Sequence, residues 1–427
     1  MSPIWRGLLP DTASTDVSGG LIVGGCSIVD LAARYGTPLF VYDEAHLRSR
    51  CRQAVESFGI GRAIYATKAF LCTAMARLAY EEGMLLDVAS GGEMFVALRA
   101  GVPASALAVH GNNKSVDELR MAITAGVHHI VVDSFDEIDR LEALHAELRG
   151  GANVPKVIAR ITPGVHAHTH EFIATGQDDS KFGFNLGNGD AQRAVDRLRR
   201  CAAVELVGVH CHIGSNVFEA SSFAKAAEVM AAFAGPLDLP ELILGGGLGV
   251  AYVDGEEAPT ITQWANVLLD ACAALGVTSA VSVEPGRAIT AAAALTVYTV
   301  GTIKDIPGVR TYVAVDGGMS DNPRPVLYGS GYEAFLPRAV EARRDRQVRL
   351  VGKHCESGDI LIRDAAVPED IGVGDLIATP VTGAYGHSMG SNYNKLPRPA
   401  VVFVNDGADR LVVRRETYED LVRCDVD

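Results

Sequence analysis

From residue 63 onward, short apolar runs alternate with longer stretches in which apolar residues recur every three to four positions. The short runs read as strands: Ala63–Lys68, Leu85–Ser90, Leu107–Gly111, His129–Ser134, Lys156–Ile161, Leu206–Ile213, Glu241–Gly246 and Ser279–Gly286. Between them the spacing predicts amphipathic helices, among them Thr73–Glu82, Ser115–Ala125, Ser134–Leu148, Ser222–Ala234 and Ile261–Leu275. Ser115 and Glu118 have capping-box form, and Gly126 and Gly276 sit where helices stop. Eight strand–helix units in succession predict a (β/α)8 TIM barrel rather than an open sheet. The pattern is weakest between Ile161 and Leu206, where a long polar insert precedes a helix at Asn188–Cys201.

After Gly286 the period falls to about two. Leu295–Ile303, Thr311–Val315, Val348–Val351, Leu376–Ala378, Val401–Val404 and Leu411–Arg414 read as strands divided by turns such as Asn405-Asp-Gly407. The expected architecture is therefore a barrel over residues 37–287 followed by an all-β C-terminal domain. That second domain, sandwich-like or barrel-like, is expected over 288–427 and to take in the Gly-rich residues 1–36. At 427 residues, two domains is also what length alone predicts.

Composition narrows the partners. A net charge of −14 argues against nucleic acid and against an anionic membrane surface. The longest apolar run, Ala291–Val300, is too short to span a bilayer, and the first sixteen residues lack a signal-peptide core. A cytoplasmic protein is expected, with most of its eight irregularly spaced cysteines reduced and buried.

Barrel chemistry gathers where the strands end. Reading each strand to its C-terminus gives Lys68, Asp87 and Ser90, His110, Asp133, Arg160, His210 and His212, Gly245–Gly247, and Glu284. Each has an ordinary reading alone: Lys68 as a lysine that snorkels to solvent, Ser90 and Asp133 as helix caps. Together they outline one site. Lys68 ends an apolar strand and is expected to be desolvated, the setting in which lysine forms Schiff bases with carbonyls. His210 and His212 share a strand face and admit two readings. One is a metal pair, extended by His166, His168 and His170. The other is an imidazole stacked on a planar cofactor, favoured because no carboxylate stands at ligand spacing. Gly245-Gly-Gly247 suits a phosphate or a tight turn, and Glu284-Pro-Gly-Arg287 closes the last strand with a carboxylate and a guanidinium.

These features, with Tyr65-Ala-Thr-Lys-Ala69, Asp87-Val-Ala-Ser-Gly-Gly-Glu93, His110-Gly-Asn-Asn-Lys114, Asp179-Ser-Lys-Phe-Gly183, His212-Ile-Gly-Ser215, Asp321-Asn-Pro-Arg-Pro325, Cys355-Glu-Ser-Gly-Asp359 and Gly383-Ala-Tyr385, resemble the fold-type III pyridoxal phosphate decarboxylases. Within that family the chain is most similar to the diaminopimelate decarboxylases, from about residue 38 to 400. The resemblance implies pyridoxal 5'-phosphate carried on Lys68, with His212 on the ring face and Glu284 at the ring nitrogen. Asp87, Ser215, Gly245, Gly246, Gly247, Gly286, Arg287 and Tyr385 would complete the cofactor site, and no metal is expected. It also implies a homodimer with sites shared between subunits, in which Cys355 donates a proton and Glu356 binds substrate. Arg287, Arg324, Tyr328 and Tyr385 would hold the distal end of meso-2,6-diaminopimelate, whose decarboxylation gives L-lysine and carbon dioxide. Alternatives are a related decarboxylase of another carboxylated or basic amino acid, and a non-catalytic regulatory paralogue. His387 and Gly390 depart from the usual pattern beside Tyr385 and bear on substrate fit.

Overall fold

The computed structural model describes residues 2–148, 154–165 and 176–426. Histidines 166, 168 and 170, and part of the long polar insert that holds them, lie outside the described residues. The chain divides into two compact units, one of residues 50–249 and 258–288, the other of residues 1–49, 250–257 and 289–427.

The first unit is the expected barrel. Its strands are β1 (Ile64–Ala66), β2 (Leu85–Val88), β3 (Leu107–Val109), β4 (His129–Val132), β5 (Lys156–Thr162), β6 (Glu205–His210), β7 (Glu241–Ile243) and β8 (Ala280–Ser282). They pair in sequence order, all parallel. A bridge between Ala63 and Val283 closes the ring, and the Ile64 amide donates to the Val283 carbonyl at 2.8 Å. Helices α1 (Glu44–Phe58), α2 (Thr73–Glu81), α3 (Gly91–Arg99), α4 (Val116–Ala125), α5 (Phe135–Glu147), α6 (Asp190–Arg200), α7 (Ala220–Ala234) and α8 (Ile261–Ala274) alternate with the strands. The weak stretch before β6 holds α6 as expected, together with a short strand, Phe184–Asn185, that pairs with β5.

Strand alternation decides what fills the barrel. Ile64, Ala108, Val131, Ile158, Val207 and Ile243 form one buried apolar cluster. The polar residues at the strand ends therefore stand above an apolar layer.

In the second unit, the central sheet runs Ile360–Val367, Arg346–Val351, Arg310–Val315, Ala294–Ile306, Leu39–Asp43, Ala400–Asn405, Ala408–Val413, with Leu376–Pro380 also paired to Ala294–Ile306. Leu39–Asp43 is buried throughout and lies between an antiparallel and a parallel neighbour. The expected border at residue 37 falls ahead of this strand, whereas the barrel unit begins at Arg50, inside α1. Three short N-terminal strands, Ser14–Thr15, Leu21–Val23 and Cys26–Ser27, belong to the same unit, where Leu21 donates its amide to the Pro337 carbonyl.

Candidate active site

Lys68 sits in a 3-10 turn, Thr67–Ala69, directly after β1. The Thr67 hydroxyl donates to the Asp87 carbonyl at 2.7 Å, and Tyr65 donates its phenol to the Phe70 carbonyl at 2.6 Å. The turn is thus pinned from both sides. The lysine was expected to be desolvated, but half of its side chain (50%) is exposed and Nζ lies 3.8 Å from Asp87 Oδ2. The turn lifts the ammonium off the apolar layer, and a buried carboxylate answers its charge.

Asp87 begins a chain of charged groups across the barrel mouth. His110 Nε2 lies 3.8 Å from Asp87 Oδ1 and 3.0 Å from Glu284 Oε1. His210 Nε2 is 3.0 Å from Glu284 Oε2. Burial works against the Glu284 charge, but His110 and His210 outweigh it and hold the carboxyl well below its ordinary range. Burial also opposes charge on His110, yet Asp87 and Glu284 raise that imidazole above its usual value. Glu284 is therefore a carboxylate in a dry setting. Among the described residues its Oε1 has no well-aligned hydrogen-bond donor, because His110 approaches at short range without the right direction. The carboxylate missing from the local sequence around His210 is supplied by Glu284, two residues past β8. It gathers His110 and His210, so the pairing of His210 with His212 is replaced by a different constellation.

His212 faces another way. Its Nδ1 accepts from the Gly246 amide at 3.2 Å, and burial, then Lys68 and Arg160, push the imidazole well below its ordinary value. A neutral ring results. At Gly246 an added Cβ would stand 2.1 Å from the Glu284 carbonyl oxygen, so the turn after β7 requires glycine to pack against β8. Arg287 is buried and donates through Nη2 to Ser215 Oγ at 2.9 Å. Gly286 packs on Ala66, where a Cβ would come within 3.0 Å of the alanine methyl. Lys68, Asp87, His212, Ser215, Gly245–Gly247, Glu284, Gly286 and Arg287 accordingly share one end of the barrel. Ser90 proves to be the N-cap of α3, whereas Asp133 binds Arg160 at 3.2 Å and accepts the Gly183 amide at 2.6 Å.

The remaining expected residues lie in the β unit. Arg324 opens the short helix Arg324–Tyr328, is 3% exposed, and donates through Nη1 to the Tyr332 hydroxyl at 2.6 Å. Its guanidinium lies 4.1 Å from the Tyr252 ring centroid, and its Nε has no partner among the described residues. Tyr328 is partly exposed, as is Tyr385, whose φ is +63°. Cys355 and Glu356 are exposed. The Cys355 amide donates to Asn394 Oδ1 at 3.0 Å, and His354, stacked on Tyr393, reaches Ser320 Oγ at 2.8 Å. His387 meets Phe40 edge-on, and burial, aided by Arg398, lowers it to about 4. Sequence reading placed His110 and His210 at the barrel mouth without joining them to Glu284, and gave no role to Tyr252, Tyr332 or Asn394. The first two carried a signal at strand ends; the others are joined to their partners only in space.

A phosphorylated heteroaromatic aldehyde fits these donors. The barrel offers an amine, a carboxylate kept ionised for a ring nitrogen, a neutral imidazole, and a glycine turn near a buried arginine. Fold and site together define a barrel enzyme of pyridoxal phosphate chemistry. Residues 44–291 match the family described as pyridoxal-dependent decarboxylase, pyridoxal binding domain. The chain is 46% identical over 437 residues to a diaminopimelate decarboxylase from Bacillus subtilis, with 98% of each covered. A crystal structure of diaminopimelate decarboxylase from M. jannaschii superposes with a TM-score of 0.90 at 31% identity, covering 98% of both chains. That relative has also been solved in co-complex with L-lysine at the same TM-score. The chain belongs to the diaminopimelate decarboxylase family of pyridoxal-dependent decarboxylases.

Proposed function

We propose that the protein removes the carboxylate of meso-2,6-diaminopimelate at one end, giving L-lysine and carbon dioxide. The observation that carries this reading is Glu284, held as a buried carboxylate between His110 and His210, at the same barrel end as Lys68. Pyridoxal 5'-phosphate, when bound, supplies the electron sink that decarboxylation needs. The chain's own groups do the rest. Lys68 Nζ would hold the cofactor covalently, with Asp87 keeping the ammonium in place beforehand. Glu284 keeps the ring nitrogen protonated, and His210 and His110 keep Glu284 ionised. Neutral His212 would lie against the ring, while Ser215, Arg287, Gly245–Gly247, Gly286 and Tyr385 would receive the phosphate. Cys355 Sγ returns a proton to the carbon that has lost carbon dioxide.

Substrate choice rests on Arg324. A buried guanidinium with an unpartnered Nε asks for a carboxylate, which ornithine and lysine lack at their distal end. Arg287, Tyr328, Tyr385 and Glu356 complete that contact set. The reading includes a cytoplasmic homodimer whose Cys355 and Glu356 serve the site of the partner subunit. No helix among the described residues is long and apolar enough to cross a membrane. His387, which departs from the family pattern, supports a second reading: a decarboxylase of a different carboxylated diamine.

Carbon dioxide release from meso-diaminopimelate, L-lysine, D-lysine and L-ornithine separates the readings. Turnover of the first alone is expected, and none from it would sink the proposal. Borohydride is expected to bleach the visible band of the holoenzyme and leave the reduced adduct on Lys68.

A further inference from the structure

The floor of the barrel, at the N-terminal ends of the strands, carries a second group of ligating side chains. His129 opens β4 and Glu241 opens β7, each two residues before a member of the apolar layer (Val131 and Ile243), so both share its inward face. His128 immediately precedes β4. One ligating atom from each of His128, His129 and Glu241 lies within 4.8 Å of the other two. His129 is 1% exposed, and neither of its ring nitrogens has a hydrogen-bond partner among the described residues. A buried imidazole with both nitrogens unanswered is costly unless something else completes it.

We propose that His128, His129 and Glu241 bind one divalent transition-metal ion, with zinc as the type, at the floor of the barrel. Two imidazoles and a carboxylate without thiolates suit zinc, cobalt or nickel better than calcium or magnesium. Ligands about 2.0–2.2 Å from a tetrahedral ion stand roughly 3.3–3.6 Å apart, so modest side-chain rotation closes the site around it. The His128 ring donates to the Ser105 backbone, the kind of outer partner that orients a metal-bound imidazole. Lys156 and Arg62 face the same imidazole and oppose a cation, which limits affinity. Strands β4 and β7 are separated by β5 and β6, so the ion ties the floor together across the barrel. Its role is stability, at the strand ends opposite the turn that carries Lys68.

The test uses the full-length, cofactor-loaded protein after treatment with a chelator. Titration with zinc by calorimetry is expected to show one ion per chain, and cobalt to give ligand-field bands of a low-coordinate N/O site. Saturating zinc should raise the melting temperature by about 3 °C or more. Glu241→Gln and His128→Asn should each weaken binding at least about tenfold, leaving the metal-free decarboxylation rate unchanged. Lys156→Gln should tighten it. His129→Phe should abolish it, and the two half-buried positions keep the test open should that variant fold poorly. No stoichiometric binding by the wild type, or equal affinity in Glu241→Gln and His128→Asn, would overturn the proposal.

Discussion

Asp321 accepts from the Tyr298 hydroxyl at 2.6 Å and from the Gly318 amide at 2.9 Å, yet burial dominates and raises its carboxyl to about 7. Unfolded, the same group titrates near 3.8. Between these values the native state keeps a proton that the unfolded chain has lost. Its stabilising contribution is therefore full below the unfolded value and is lost as pH rises through the folded one. Asp321→Asn is expected to flatten the fall in stability between pH 5 and pH 7.5 in urea unfolding; parallel curves for both proteins would refute it. Arg324→Lys keeps a charge but loses the planar fork. The expected result is a KM for diaminopimelate raised about tenfold or more with a smaller change in kcat, measured by steady-state kinetics. At this scale the sequence revealed residues whose position follows from period and strand end, such as Lys68, His212 and Glu284. It did not reveal that Lys68 is half exposed, because that depends on the turn Thr67–Ala69 and on Asp87 from the next strand. Nor did it pair Glu284 with His110 and His210, residues 174 and 74 positions away in chain order.

Among the elements, helices were the most legible, since caps are local. Ser115 and Glu118 form the expected capping box of α4, and Gly126 ends that helix in a left-handed conformation. Strands were read too long, because β7 and β8 each hold only three residues before their polar ends. Leu39–Asp43 was missed as a strand of the β unit: both its neighbours come from beyond residue 290. One motif residue has a structural task that its sequence leaves unstated. Lys114, 2% exposed, donates to the carbonyls of Gly111 and Val131 and lies 2.9 Å from Glu137 Oε1. It thereby fastens the turn after β3 to β4 and to the start of α5. Breaking a buried pair from one side leaves an unanswered charge, so Lys114→Met should cost about 3–5 kcal/mol. Adding Glu137→Gln should recover part of that loss, because Glu137 is already raised by burial. Chemical denaturation of the two single variants and the double variant measures the coupling; strict additivity would contradict it.

For the whole molecule, the question is whether one chain contains one working site. Lys68 and Glu284 belong to the barrel unit, Cys355 and Glu356 to the β unit, where both are exposed. In the reading proposed above, Cys355 works in the site of the partner subunit of a two-fold dimer, so each site draws on two chains. Lys68→Ala and Cys355→Ala homodimers should then both be inactive or nearly so, for different reasons. Mixed by co-expression with two affinity tags, they form heterodimers in which one site carries both substitutions and the other carries neither. Random pairing makes half of the dimers mixed, so the pool should regain about a quarter of wild-type activity. Purification through both tags should raise this to about half, with one reducible cofactor adduct per dimer. If each chain instead supplied its own Lys68 and Cys355, every site in the mixture would lack one or the other, and no activity would return. Recovery therefore depends on the assembly alone, and it cannot be mimicked by a change in folding or cofactor affinity of either variant.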